Sequence, residues 1–314
     1  MTVSATAFAP ATVSNVACGF DVLGFALETP GDEVTARLSP SGVQIEGIDG
    51  DGGRLPRDAA RNTAGVAALA LLTTLGERRG VVLSIRKGLP LSSGLGGSAA
   101  SAAAAVVAVD AVLGSGASIE TLVSCALEGE RLGAGSAHAD NVAPSLYGGF
   151  VLVRRLNPPD IIRLPVPAGL VAVVVHPDLE IETAKARALL GTTVPLADAV
   201  RQWANLGAFV DGLHRGDFNQ ISRSLEDTIA EPRRAPLIPG LAMIKRAAGD
   251  AGALGCSISG SGPSLFALCV GRDVAERVAA AMVGAVRTHS GRDPRVYVSS
   301  IAPRGAHVLT TCAS

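Results

Sequence analysis

The sequence predicts an α/β fold in two units, and three observations carry that prediction. Strand-period segments alternate with helix-period segments along the chain, 48% of the 314 residues are hydrophobic, and Pro-containing loops interrupt the pattern near the middle. A chain of this length makes one large domain or two ordinary ones, and that apolar content supplies a sizeable core. The first residues are β-rich, in VTARLSP and GVQIEGI among others. A helix pattern follows over 63–75, with Asn62 placed to cap it. In GVVLSIRKG, Val82, Ser84 and Arg86 alternate with Leu83 and Ile85 as strand residues do. Then come the glycine-rich PLSSGLGGSAAS, a helix expected over about 95–113, and a second helix in SIETLVSCALEGERLG. Pro158, Pro159, Pro165 and Pro167 place a border near residue 165, giving units 1–164 and 165–314. Beyond it LVAVVVHP reads as a buried strand, helices are expected over 196–213, 240–251 and 274–288, and strands in GCSIS, SLFALCV and a final VYVSSIA.

Composition excludes several function classes. The net charge is -1 with no block of like charges, so nothing draws the chain electrostatically to a nucleic acid or an anionic membrane. Only 3% of residues are aromatic, too few for a base-stacking platform. The five cysteines (Cys18, Cys125, Cys256, Cys269, Cys312) are odd in number, widely spaced and without a CxxC pair, which reads as buried thiols in a reducing compartment. The N-terminal stretch lacks the basic and apolar regions of a targeting signal, and SAASAAAAVVAVDAVLG carries Asp110, so it reads as a buried helix of a cytoplasmic protein. A small-molecule ligand is the expected partner.

The loop PLSSGLGGSAAS joins a strand pattern to a helix pattern, so the unpaired amides of the first helical turn converge on one point where the helix dipole favours negative charge. Phosphate suits that point. The loop has no Walker lysine, so the main chain must do most of the binding. Gly94, Gly96 and Ala99 match a GxGxxA dinucleotide fingerprint, but the helix runs into another helix instead of a second strand ending in an acidic residue. Tight helix packing alone is a further explanation of the glycines.

Three segments, PATVSNVACGFDVLG, PLSSGLGGSAAS and SISGSGPSLFAL, together resemble the signature motifs of the GHMP kinases, which transfer the γ-phosphoryl group of ATP to small alcohols or acids. HADNVAPSLYGGF, ETAKAR and EPRRAPLIPG extend the resemblance over nearly the whole chain, toward the members that act on an amino-acid alcohol. It implies an N-terminal ribosomal-protein-like βα domain, a ferredoxin-like C-terminal domain, ATP as substrate, Mg²⁺ as cofactor and a homodimer. It also implies nucleotide contacts from Asn62 and from Pro90, Leu91, Ser92, Ser93, Gly94, Leu95, Gly96, Gly97, Ser98, Ala99, Ala100 and Ser101.

By the same resemblance Ser98 and Glu130, the latter eight residues before His138, hold the metal. On their own, Ser98 also reads as a helix cap and Glu130 as a solvated helix residue. An amino-acid substrate needs partners for an ammonium, a carboxylate and a hydroxyl. The resemblance offers Asp21 for the first, Arg187 and Arg234 for the second and Asn15 for the third, with His138, Asp140, Thr183 and Gly260 around them. Arg233 competes with Arg234, and the EPxR spacing favours Arg234. Many family members carry an aspartate as general base seven residues before a glycine pair; here Asn141 stands there, and an amide accepts no proton at neutral pH. The expectation is a reaction without a dedicated base, Asn141 orienting groups and Asp140 the alternative base. Gly97 replaces a more frequent serine, and Cys18 is a less usual choice beside Asp21.

Overall fold

A computed structural model describes residues 3–134 and 138–313. The first part of the chain forms β1 (Val3–Ser14), β2 (Leu23–Ser39), β3 (Val43–Asp49), α1 (Thr63–Leu75), β4 (Gly80–Arg86), α2 (Gly97–Leu113), α3 (Ile119–Ala134), α4 (Ala139–Tyr147), β5 (Phe150–Leu156) and β6 (Pro159–Leu164). The remainder forms β7 (Leu170–His176), α5 (Thr183–Ala188), α6 (Leu196–Arg215), α7 (Phe218–Ser224), α8 (Glu231–Arg234), α9 (Leu241–Asp250), β8 (Gly255–Ile258), β9 (Leu265–Val270), α10 (Arg272–Ser290), β10 (Arg295–Ser300) and β11 (His307–Ala313).

One sheet runs β11-β1-β2-β4-β3, with β5 and β6 branching from β2; its pairs are antiparallel except β3 with β4. The long β2 makes this possible, because residues 33–39 pair with β4 while residues 23–25 pair with β5. The other sheet is antiparallel in the order β10-β7-β9-β8, so its four strands lie fourth, first, third, second, a ferredoxin-like arrangement. The sheets change over between Leu164 and Leu170, and β11 then crosses the expected border at 165 to pair with β1.

Strand β7 explains how the two sheets share a core. Every residue of LVAVVVH is buried, and strand alternation divides them: Leu170, Ala172 and Val174 join the large core, whereas Val171, Val173 and Val175 pack with residues of α9 and α10. At the junction four of the seven phenylalanines meet, with Phe25 4.8 Å from Phe150 and 5.9 Å from Phe266, and Phe150 5.9 Å from Phe209 on α6. Helix α2 is buried nearly all round, and its alanines let α1, α3, α4, β1 and β2 approach it closely.

Some expectations need correction. Helix α2 starts at Gly97, since Leu95 and Gly96 belong to the loop. HADN, to which the sequence assigns no element, leads into a helix, α4, with Asp140 buried in its first turn. VYVSSIA is not the last strand, because β11 follows. Of the five thiols, Cys312 on β11 is exposed while the other four are buried, and all are free. Among the described residues no helix is long and apolar enough to cross a membrane.

Because Phe25 touches rings from both sheets, Phe25→Ala should lower stability by about 3–5 kcal/mol, measured by urea unfolding, whereas a surface substitution such as Leu309→Ala should cost under about 0.5 kcal/mol.

Candidate active site

Residues 87–96 connect β4 to α2, and the helix begins behind Gly96, which has a left-handed φ of 65°. The first amide to find a helical partner is that of Ala100, which donates to the Gly96 carbonyl at 2.8 Å; the amides of Gly97, Ser98 and Ala99 precede it. With the dipole of a 17-residue helix behind them, these amides are suited to an anion. Gly96 is the N-cap, so Ser98 is not the cap that its position allowed.

The glycines answer to packing as well as to a ligand. A Cβ on Gly94 would lie 2.6 Å from the Ser259 carbonyl and 2.7 Å from that of Gly262, and one on Gly96 would lie 2.1 Å from Thr12 Oγ1. The loop therefore backs onto the second glycine segment: Ser259 Oγ donates to the Gly94 carbonyl at 2.7 Å and the Ser264 amide to that of Ser93 at 3.2 Å.

In front of these segments opens a cavity of about 490 Å³, and every expected site residue lines it except Leu95, Ala99 and Ala100. Those three are fully buried in the core and have only main-chain atoms to offer. Ser101 reaches the cavity edge, but its hydroxyl is given to Asp32 at 2.7 Å. Asn62 caps α1 through the Ala64 amide at 3.0 Å and donates to the Pro56 carbonyl at 2.9 Å, so capping uses both ends of its amide. Arg234 is buried and lines the cavity, and Arg233 does not.

One wall is the loop after β1. Asn15, Val16, Ala17 and Asp21 all have positive φ, at 67°, 44°, 57° and 60°, which is unusual for non-glycine residues and especially for a β-branched valine. Asn15 holds the turn together: its amide NH₂ donates to the Gly260 carbonyl at 2.9 Å, its side-chain oxygen accepts from the Asp21 amide at 3.0 Å, and its backbone N–H donates to Asp140 Oδ2 at 3.3 Å. Buried Gln202 of α6 supports the loop from behind, donating to the Cys18 carbonyl at 3.0 Å.

Asp21 and Arg187 face each other in a bidentate pair at 2.6 and 3.0 Å, and Arg187 Nη2 also contacts His138 Nε2 at 3.1 Å. Arg234 donates to the carbonyls of Gly260 and Ala186, and both guanidinium groups lie over the Phe20 ring, at 5.3 and 5.4 Å. Burial and then the neighbouring Arg187 charge lower the Arg234 pKa, so this cation sits where an anion would relieve it. Thr183 Oγ1 is 3.4 Å from Ser261 Oγ. Asn141 accepts from Thr12 Oγ1 at 2.8 Å and donates to Ser14 Oγ at 3.0 Å, so neighbours hold it in one orientation.

Three buried polar atoms have no hydrogen-bond partner among the described residues: Ser93 Oγ, Glu130 Oε2 and Asp140 Oδ1. All three residues line the cavity. Glu130 arrives there because Gly129 lets α3 press on α1, where a Cβ would lie 2.3 Å from the Thr63 carbonyl. Its other oxygen lies 3.5 Å from His138 Nδ1. Burial, then the charge of Asp21, pushes the Asp140 carboxyl up to about 7. Burial acts to lower the His138 pKa, but its hydrogen bond to Glu130 and the nearby carboxylates outweigh that and raise it.

An unpartnered oxygen on Glu130 and the Ser98 hydroxyl are the hard donors a magnesium ion takes, and such an ion needs few protein ligands beside phosphate and water. The described residues contain no cluster of three or more His, Cys, Asp or Glu that would enclose a metal by itself. Motif reading missed Lys87, Phe20 and Gln202. For Lys87 the signal was a charge at the end of an apolar strand; for Phe20 and Gln202 there was none, since each acts through chain segments far apart in sequence.

A glycine-loop helix N-terminus, two convergent arginines and orphaned oxygens in one cavity define a phosphoryl-transfer site. Residues 62–149 match the model of the GHMP kinases N terminal domain and residues 209–286 that of the GHMP kinases C terminal, and the chain belongs to the GHMP kinases. Its relatives are more specific. A homoserine kinase of Chlorobaculum tepidum is 48% identical, covering 98% of both chains. The crystal structure of a homoserine kinase from Cytophaga hutchinsonii superposes with a TM-score of 0.94 at 51% identity, over 98% of this chain and 97% of that one. A mevalonate kinase of L. major, at 19% identity and a TM-score of 0.70 over 94% of this chain and 95% of that one, shares the fold. Within its family the chain groups with the homoserine kinases.

The Asp140 shift predicts a pH signature. A carboxyl whose folded pKa lies above its ordinary value contributes stability below the unfolded pKa and loses it as pH rises through about 7. Asp140→Asn should therefore melt a few °C above the parent chain at about pH 8, with the difference gone near pH 4, as read by thermal unfolding.

Proposed function

We propose that this chain transfers the γ-phosphoryl group of ATP to the hydroxyl of L-homoserine, giving O-phospho-L-homoserine and ADP, a step toward threonine. The observation that carries the substrate is the grouping of Asp21, Arg187 and Arg234 beside Phe20, in the cavity that Gly97 and Ser98 at the start of α2 also line. A free amino acid entering there meets a carboxylate for its ammonium and two guanidinium groups for its carboxylate. Mevalonate has a carboxylate but no ammonium, so it could draw Arg187 away only by leaving Asp21 without a partner. The same cavity has room for the polyphosphate at Gly97–Ala99, and magnesium bound by Ser98 and Glu130 would neutralise phosphate charge.

In this reading Asn141, fixed by Thr12 and Ser14, orients the reacting hydroxyl, whose proton leaves to the transferred phosphoryl group or to water. The unpartnered Asp140 Oδ1 favours a second reading, in which that carboxylate accepts the proton. Residues 1–164 would carry ATP and 165–314 would complete the amino-acid end. Four buried cysteines and the absence of disulfides among the described residues support a cytoplasmic setting. A homodimer belongs to the same reading, supported by Leu196, Val200 and Trp203, which leave an apolar stripe of α6 exposed for a second copy; sedimentation at micromolar concentration should return twice the chain mass.

Assay of the purified protein with ATP, Mg²⁺ and a panel of alcohols should show turnover of homoserine; turnover of mevalonate or a sugar without homoserine would defeat the proposal. Asp21→Asn should raise KM for homoserine about tenfold or more with KM for ATP within about twofold, and Ser98→Ala should lower kcat and raise the Mg²⁺ requirement. Equal losses of ATP affinity in both variants would reverse the assignment of roles.

A further inference from the structure

We propose that Lys87, with Asp32 and Ser101, is a positioning device for the phosphate loop: a buried ion pair that fixes the first turn of α2 against the sheet and so aims its free amides. The inference rests on the ATP site proposed above. Lys87 follows β4 directly and lines the cavity, yet its ammonium is not available to a ligand. An ammonium has three donors, and here three acceptors surround it: Asp32 Oδ2, the Gly97 carbonyl at 2.7 Å and Ser101 Oγ at 2.8 Å. Asp32 in turn accepts from the Ser101 hydroxyl at 2.7 Å and, through its other oxygen, from the Gly88 amide at 3.0 Å. The side chains of Lys87 and Asp32 are 2% and 0% exposed.

The network touches three elements at once. Asp32 belongs to β2, Lys87 and Gly88 leave β4, and Gly97 and Ser101 are one turn apart at the start of α2. Gly97 is the first helical residue, and its amide is among those that point at the anion site. A hydrophobic pair would fill the same space with less desolvation cost. What the ion pair adds is direction, since a hydrogen bond to the Gly97 carbonyl fixes the orientation of the peptide planes around it. Lys87 thus differs from a Walker lysine: it holds the main chain that would hold the phosphate.

The test measures ATP binding by calorimetry in the presence of Mg²⁺, separately from turnover. If the parent chain binds no ATP, the functional proposal fails, and this inference with it. If the parent binds, Lys87→Met with Asp32→Asn, which removes both charges together, is checked for folding by circular dichroism and titrated. The expected result is an ATP Kd weakened about tenfold, with KM for homoserine within about twofold. An ATP Kd within about twofold of the parent, or equal losses for both substrates, would make the network merely structural and overturn the proposal. Should the double variant not fold, Ser101→Ala carries the test, with a Kd weakened about threefold expected and an unchanged Kd overturning it.

Discussion

The close approach of two glycine segments is the constraint on which the rest of this molecule depends. The Ser93 and Gly94 carbonyls accept hydrogen bonds from Ser264 and Ser259, and the Gly260 amide donates to the Ser14 carbonyl at 3.3 Å. Through these contacts a loop from the first sheet, a loop from the second and the turn after β1 are joined by their main chains. A side chain at Gly94 would drive the two glycine segments apart, and one at Gly96 would strike Thr12 and Asn141. The cavity is therefore lined by residues of both parts of the chain, among them Gly94 and Gly96 of the first and Gly260 and Arg234 of the second.

That geometry costs backbone strain, which is concentrated in one place. Three consecutive residues, Asn15 to Ala17, take left-handed conformations, and a valine is among them. The surroundings hold them there. Gln202 donates to the Cys18 carbonyl, while its side-chain oxygen accepts from the Thr228 amide at 2.9 Å. Asp227 accepts from the amides of Ile229, Ala230 and Glu231, which lead into the short helix ending at Arg234. The loop bearing Asp21 and the helix bearing Arg234 are thus supported by the same few buried groups.

Much of this was legible in sequence, for a physical reason. A loop that packs its main chain this closely requires glycine and small residues in contiguous order, so PLSSGLGGSAAS marks its own location, and period-2 and period-3.6 patterns mark the strands and helices around it. What stayed hidden depends on long-range pairing. Strand β11 is His-Val-Leu-Thr-Thr-Cys-Ala, exposed over 309–312, with a weak alternation that its partner β1 makes into a strand. Lys87 reads as one more charge after a strand until Asp32, 55 residues earlier, is placed against it. Asp21 and Arg187 were each assigned to a different group of the substrate, and 166 residues separate them, so nothing in sequence reveals that they bond each other.

That pairing bears on how a zwitterion is recognised. An arginine and an aspartate left apart in a half-buried cavity would each keep a hydration shell, and binding would have to remove both. Joined as they are, at 37% side-chain exposure each, they already satisfy one another. An amino acid brings its own ammonium and carboxylate, so under the proposed reading its entry would exchange one ion pair for two of the same kind and leave the net charge of the site unchanged. A ligand with only one of the two charges could not make that exchange: it would free Asp21 or Arg187 without replacing the partner, at the cost of an unpaired charge. In the proposed reading, selectivity for a zwitterion would follow from the pair itself, with Arg234, buried and hydrogen-bonded to the Ala186 and Gly260 carbonyls, as the cation that has the most to gain from the incoming carboxylate.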